Sequence, residues 1–271
     1  RIELEAKLAK RDLMPNQLKP SVCIDAVFEN MPPADAVKSV ANAGIKAFEF
    51  WCWWEKNLDE LIQYRDANGM SISACCTKFI SLVDPEKRNE YLAGLEESIA
   101  AAKQLDCPVL ISQVGDFRPG VSRQEQHQSL IDGLKDAAPM LEASGVTLVI
   151  EPLNELVDHR GYYLVRSDEA FEIIDAVNSP RVKVVFDIYH QQISEGHVIH
   201  NLMQNIDKIG HFHAAGNPGR HELTLGELNY EQIFAAIQSS DYDGFVGLEY
   251  WPKHDPSEGL RQVARWFTTS R

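Results

Sequence analysis

Short apolar runs rich in Val, Ile and Phe alternate along the chain with longer segments in which apolar residues recur at helical spacing. The runs at 22–28, 47–51, 71–77, 109–114, 147–153, 182–189, 210–215 and 245–250 predict eight buried strands. The stretches at 34–43, 58–67, 85–105, 123–143, 168–177, 197–207, 230–239 and 257–266 predict the helices between them. Gly44, Gly69 and Gly145 stand where helices would end, each a few residues before a strand, and Ser122 with Glu125 fits a capping box at a helix start.

A strand followed by a helix, repeated without a linker rich in Pro, Gly or Ser, predicts a single α/β domain, a (β/α)8 TIM barrel. The competing fold, a doubly wound open sheet, would place a glycine-rich phosphate turn after its first strand. The chain reads Glu29-Asn30-Met31-Pro32-Pro33 there. Residues 20–271 are assigned to the barrel and 1–19 to a peripheral lead, the first ~13 residues forming a helix or a disordered segment.

Composition narrows the partners more than the fold. The 271 residues are 44% apolar and 24% charged, which suits a globular protein with a sizeable core. Twenty-six Lys and Arg against 40 Asp and Glu leave a net charge of −14, a field that opposes nucleic acid and anionic membrane surfaces. No run of 18 apolar residues is present. The five cysteines form no C-x-x-C pair, and an odd count points to reduced thiols and a cytoplasmic location.

Candidate chemistry lies where apolar runs end, because the C-terminal ends of barrel strands carry the active site in this architecture. Glu151 ends Leu148-Val149-Ile150, Asp187 ends Val184-Val185-Phe186, His213 follows His211-Phe212, and Glu249 ends Phe245-Val246-Gly247-Leu248. They are 36, 26 and 36 residues apart, close to one strand–helix unit each, so they fall on strands five to eight. Three carboxylates converging there require a counter-charge, which a divalent cation supplies. Oxygen ligands with one imidazole suit Mn²⁺ or Mg²⁺, and Co²⁺ or Zn²⁺ would also bind such a set.

His211 shares a strand face with His213 and reads as a core or supporting histidine, and Glu49 as a supporting acid or a paired barrel charge. His190, three residues past Asp187, is placed to reach the same mouth. Trp51-Cys52-Trp53-Trp54 reads either as an apolar pocket wall or as packing under a loop. His159 reads by default as a solvated or locally bonded side chain.

The second half of the chain resembles the hydroxypyruvate isomerase group of the xylose-isomerase-like barrel superfamily, which also holds the ketose 3-epimerases. The resemblance rests on Ile150-Glu151-Pro152-Leu153-Asn154, Phe186-Asp187-Ile188-Tyr189-His190-Gln191, Lys208-Ile209-Gly210-His211, Asn217-Pro218-Gly219-Arg220-His221-Glu222, Gly226-Glu227-Leu228-Asn229-Tyr230 and Gly244-Phe245-Val246-Gly247-Leu248-Glu249-Tyr250. It implies a metal bound by Glu151, Asp187, His213 and Glu249, the two glutamates serving also as acid and base, and His190 with Arg220 gripping substrate oxygens.

The chain departs from the isomerase pattern in three places. His213 stands where those isomerases tend to carry Gln, as in the 3-epimerases. The substrate loop reads Glu222-Leu223-Thr224-Leu225-Gly226-Glu227, and the loop after strand five is longer. The resemblance therefore implies a metal-dependent isomerase of a small sugar or hydroxy-keto acid working through an enediolate, with a ketose 3-epimerase or a non-catalytic sugar-binding barrel as alternatives. An apurinic endonuclease of the same superfamily would need further ligands at strand ends three to five, where Thr77-Lys78 and Gln113-Val114-Gly115 supply none. The sequence leaves open whether the chain forms a homo-oligomer.

Overall fold

The structure, a computed structural model, describes residues 17–267, so the expected N-terminal lead falls outside them up to residue 16. Among the described residues one parallel sheet contains β1 (Lys19–Cys23), β2 (Ala47–Glu49), β3 (Ser71–Ile72), β4 (Ala74–Cys76), β5 (Val109–Ser112), β6 (Thr147–Ile150), β7 (Val182–Asp187), β8 (Ile209–Ala214) and β9 (Phe245–Leu248). Their order is β3-β2-β1-β9-β8-β7-β6-β5-β4. The two ends of that order, β3 and β4, are consecutive in the chain and separated only by Ser73. Across this seam the Phe50 N–H donates to the Ala74 carbonyl at 3.4 Å and the Cys76 N–H to the Trp51 carbonyl at 3.0 Å. The third barrel strand is thus interrupted for one residue, and the sheet closes into the expected eight-stave barrel.

The helices are α1 (Ile24–Val27), α2 (Pro33–Asn42), α3 (Leu58–Ala67), α4 (Arg88–Gln104), α5 (Arg123–Ser144), α6 (Ser167–Val177), α7 (Ile188–Ser194), α8 (Val198–Gln204), α9 (Tyr230–Gln238) and α10 (Pro256–Ala264). The capping box starts α5, with Ser122 and Glu125 each satisfying the other's backbone N–H, and Gly145 ends that helix in the left-handed conformation at φ 78°. No helix among the described residues is long and apolar enough to cross a membrane.

Most strands end one to three residues before the predicted runs do, and two of the runs continue into helix. The run at 22–28 is strand only to Cys23; Ile24–Val27 forms a single helical turn that buries Ile24, Ala26 and Val27, so burial made it look like strand. The run at 182–189 ends as strand at Asp187, whose carboxylate accepts from the His190 N–H and starts α7.

Strand periodicity divides the core in two. Outward residues such as Val22, Phe48, Leu110, Leu148, Val184, Phe212 and Leu248 pack under the helices. Ala74, Cys76, Val109, Ile111, Val149 and Val185 fill the barrel interior. Glu49, His211 and His213 also lie inside, each no more than 2% exposed. Gly247 on β9 leaves room for Glu49, because a Cβ there would lie 2.3 Å from Glu49 Oε1. Gly247→Ala is expected to destabilise the barrel by about 1–3 kcal/mol through overpacking, read as a lowered midpoint in urea unfolding.

Candidate metal centre and active site

Four consecutive strands deliver the four predicted ligands to one place. Glu151 directly follows β6, Asp187 is the last residue of β7, His213 precedes the last residue of β8 and Glu249 directly follows β9. Parallel register sets Asp187 beside His213 and His213 beside Gly247. All four side chains are buried, and one ligand atom from each lies within 4.8 Å of the others. From His213 Nδ1 the distances are 3.2 Å to Glu151 Oε1, 3.5 Å to Glu249 Oε2 and 4.0 Å to Asp187 Oδ2. Adjacent ligands bonded at ~2.1 Å to one ion sit about 3.0–3.4 Å apart. The residues present therefore fit a small divalent cation.

The far side of the His213 ring is held from within the barrel. Its Nε2 lies 2.9 Å from Glu49 Oε1, while Glu49 Oε2 faces His211 Nε2 at 3.0 Å and accepts from Ser73 Oγ at 2.9 Å. Burial alone would raise the Glu49 carboxyl, but the charges and hydrogen bonds of His211 and His213 outweigh it and hold the acid well below the usual carboxylate range. Glu49, His211 and His213 also have metal-binding spacing. Both Glu49 oxygens already face imidazoles, however, so the trio reads as a polar support for the His213 ring.

The charges at the mouth balance unevenly. Burial pushes Glu151 and Asp187 up, and the neighbouring Glu249 charge adds to both. Burial opposes ionisation of Glu249 too, but His213, Arg220 and the Trp51 hydrogen bond together hold it low. Burial would lower His213; the Glu249 charge and the bonds to Glu151 and Glu49 raise it well above its ordinary value.

Arg220 sits deeper than a substrate-gripping loop residue needs to. Its Nη2 contacts Glu249 Oε2 and lies 3.7 Å from Asp187 Oδ2, and its guanidinium lies over Trp251 at 5.1 Å and Tyr189 at 5.3 Å. The loop after β8 turns back to put it there. Gly216 and His221 exchange backbone hydrogen bonds, and the Trp251 N–H donates to the Arg220 carbonyl at 2.9 Å. The Glu222 carboxylate accepts from the backbone N–H groups of Lys253 and His254, tying this loop to the one after β9. A Cβ on Gly216 would lie 2.5 Å from the Glu222 carbonyl oxygen, so the close turn needs glycine.

His190 is wholly buried beside Asp187 and is not among the residues that line the cavity above the cluster. Its Nε2 lies 3.7 Å from Asp187 Oδ2 and has no hydrogen-bond partner. Burial, helped by the Arg220 charge, pushes its pKa well below the ordinary imidazole value.

A cavity of about 230 Å³ opens over Glu151, His213, Arg220 and Glu249, walled by Trp51, Phe79, Leu153 and Trp251, with Gln113 and His159 also lining it. Three of these contributions escaped the sequence reading. Trp51 is not only a wall, because its Nε1–H donates to Glu249 Oε1 at 2.7 Å. His159, half-buried, lines the cavity, and Gln113 joins it from the loop after β5. The charge of Glu49 inside the apolar run Phe48-Glu49-Phe50 was a usable signal; nothing in the local pattern marks Gln113 or His159. Trp53 and Trp54, which do not line the cavity, pack on each other at 5.8 Å, and Trp54 backs the wall residue Phe79 at 5.3 Å. A larger cleft of about 660 Å³ around Pro108, Arg181 and Tyr242 contains none of the candidate residues.

Comparison with known proteins agrees with this geometry. A family profile described as xylose isomerase-like TIM barrel matches residues 37–270. A protein of Escherichia coli (strain K12) named hydroxypyruvate isomerase is 32% identical over 233 residues, spanning 83% of this chain and 90% of its own. A 2-oxo-tetronate isomerase of Cupriavidus necator is 32% identical over 235 residues, with the same two coverages of 83% and 90%. Among solved structures, one from Brucella melitensis titled AP endonuclease, family 2, superposes with a TM-score of 0.86 at 26% identity, over 93% of this chain and 99% of that one. With four candidate ligands at the ends of consecutive strands and a profile match running almost the length of the barrel, the chain belongs to the xylose isomerase-like TIM barrel family.

Proposed function

We propose that this isomerase depends on a divalent metal and acts on a small hydroxy-keto acid or sugar, as a hydroxypyruvate isomerase-like enzyme that moves a proton between carbons through an enediolate. The observation that carries the reading is the convergence of Glu151, Asp187, His213 and Glu249, buried and within 4.8 Å of one another, three of them lining a cavity sized for a short-chain substrate. The names of the Escherichia coli and Cupriavidus necator relatives support the substrate class. A cytoplasmic setting fits the cysteines, all five of which are free thiols.

Glu151 and Glu249 stand at the two ends of the four-strand arc, so a substrate seated between them meets one carboxylate from each side. One removes the proton beside the carbonyl and the other returns it to the neighbouring carbon. Mn²⁺ or Mg²⁺, with Co²⁺ or Zn²⁺ as further candidates, would supply Lewis acidity to the carbonyl when held by Glu151, Asp187, His213 and Glu249. Arg220 and the unpartnered Nε2 of His190 are the donors for the oxygen on which negative charge develops. The Trp51 hydrogen bond fixes the Glu249 carboxylate plane, and the aromatic and aliphatic wall keeps water from the reacting carbons.

His213, the residue shared with the 3-epimerases, keeps epimerisation as the second reading. Incubating the protein with short ketoses, hydroxypyruvate and 2-oxo-tetronate in D₂O, followed by NMR, separates the readings. Product carrying deuterium on the original carbonyl carbon supports isomerisation, and inversion with deuterium at one carbon supports epimerisation. A protein that binds these compounds without exchanging any carbon-bound proton is a binding barrel. DNA cleavage is disfavoured by the charge of −14, and strand ends three and four offer only Thr77, Lys78 and Gln113.

Arg220→Ala is expected to cost about 2–4 kcal/mol of transition-state stabilisation, the usual scale for an oxyanion partner. Arg220→Lys should remain slower than wild type, because it keeps the charge but loses the planar fork. If both variants match wild type in kcat/KM, Arg220 serves only as an ion-pair partner of Glu249.

A further inference from the structure

We infer that Asn154 is a positioning residue that locks the His190 ring in the tautomer carrying its proton on Nε2, so that an N–H donor and not a lone pair faces the substrate. The inference rests on the reading that His190 holds a substrate oxygen, and it adds what sets that donor in place.

Asn154 lies in the loop after β6, three residues past Glu151, and is fully buried. Its Oδ1 accepts from the Val157 N–H at 2.9 Å and the Asp158 N–H at 3.3 Å. Backbone N–H groups can only donate, so this end of the amide is the oxygen and the other end is the NH₂. That NH₂ donates to His190 Nδ1 at 2.7 Å and to Asp158 Oδ2 at 2.9 Å. The Asn154 backbone N–H approaches the same ring nitrogen at 3.2 Å. Two donors converging on Nδ1 require a lone pair there, and the ring proton then resides on Nε2.

Nε2 is buried and unpartnered, 3.7 Å from Asp187 Oδ2. A desolvated donor with no acceptor is unfavourable, and a substrate carbonyl or alkoxide oxygen would relieve it. The same tautomer prevents His190 from ligating a metal through Nε2, which keeps it distinct from His213. Asp158 extends the clamp by accepting from the Tyr189 hydroxyl at 2.9 Å, and the Tyr189 ring carries the Arg220 guanidinium. The loop after β6 therefore orients both donors through one buried amide and one carboxylate.

Nitrogen-15 NMR of the full-length, Mg²⁺-supplemented protein labelled at histidine tests this directly, with the His190 signals assigned by their loss in His190→Gln. The expected spectrum shows Nδ1 as an unprotonated imine nitrogen and Nε2 as a protonated pyrrole-type nitrogen. A reversed pattern, or averaged shifts from a mixture of tautomers, overturns the inference without any Asn154 variant. The paired swap Asn154→Asp with Asp158→Asn preserves charge and the contact between the two side chains but removes the amide donor to Nδ1. It should shift the ring toward the Nδ1-protonated form and lower kcat by about 10–100-fold, the usual scale for groups that orient active-site ligands. Its Mg²⁺ affinity, measured by calorimetry, should stay within a few-fold of wild type. A swap that leaves both tautomer and kcat unchanged overturns the positioning role. If wild type shows the Nε2-protonated ring but His190→Gln turns over normally, the substrate-holding reading fails and the tautomer assignment stands.

Discussion

Metal-free protein is expected to show no measurable turnover while remaining folded. The four candidate ligands sit at the ends of β6 to β9, outside the apolar layer between strands and helices that holds the barrel together. Removing a cation leaves Glu151, Asp187 and Glu249 crowded together, but Arg220 contacts Glu249 and His213 faces all three, so the uncompensated charge is modest. Dialysis against a chelator, elemental analysis, circular dichroism and an activity assay on one sample check both halves of the expectation. Turnover should return with Mn²⁺ or Mg²⁺. Full activity at a metal content near zero would remove the metal from the mechanism. Asp187→Asn should behave like the chelated protein, failing chiefly through weaker metal binding.

Glu151→Gln and Glu249→Gln are each expected to lower kcat by at least about 10², since each change removes a proton-transfer group together with a charged ligand. The two losses are separable. Excess Mn²⁺ can refill a weakened site but cannot give an amide the basicity of a carboxylate. Solvent deuterium exchange adds a second discrimination, because a variant that has lost only its returning acid still removes the substrate proton and washes deuterium into the first carbon. If excess Mn²⁺ restores either variant to near wild-type turnover, that residue is a ligand and not an acid or base.

The sequence alone determined the barrel and brought its four candidate ligands to one rim, because both depend on regular spacing along the chain. Apolar runs recurring once per strand–helix unit, the last four ended or nearly ended by a carboxylate or imidazole, translate directly into a closed parallel sheet with those groups at one rim. Glu151, Asp187, His213 and Glu249 needed only their positions along the chain to be brought together. The boundary after Cys23 was not legible in the same way, because a buried helical turn and a buried strand are equally apolar.

Only the tertiary structure decided which loop residues face the mouth and what each side chain bonds. His159 lines the cavity from a loop held against the one after β5 by the Asp116–Tyr162 pairing, and Trp51 reaches Glu249 across 198 residues of sequence. Arg220 is drawn onto Glu249 and Asp187 by a turn that depends on Gly216 and on Glu222 gripping the next loop. Loop backbones carry no repeating period, and their course is set by hydrogen bonds to partners far away in the chain, so the donors around the metal ligands are fixed by packing in three dimensions and not by the order of residues.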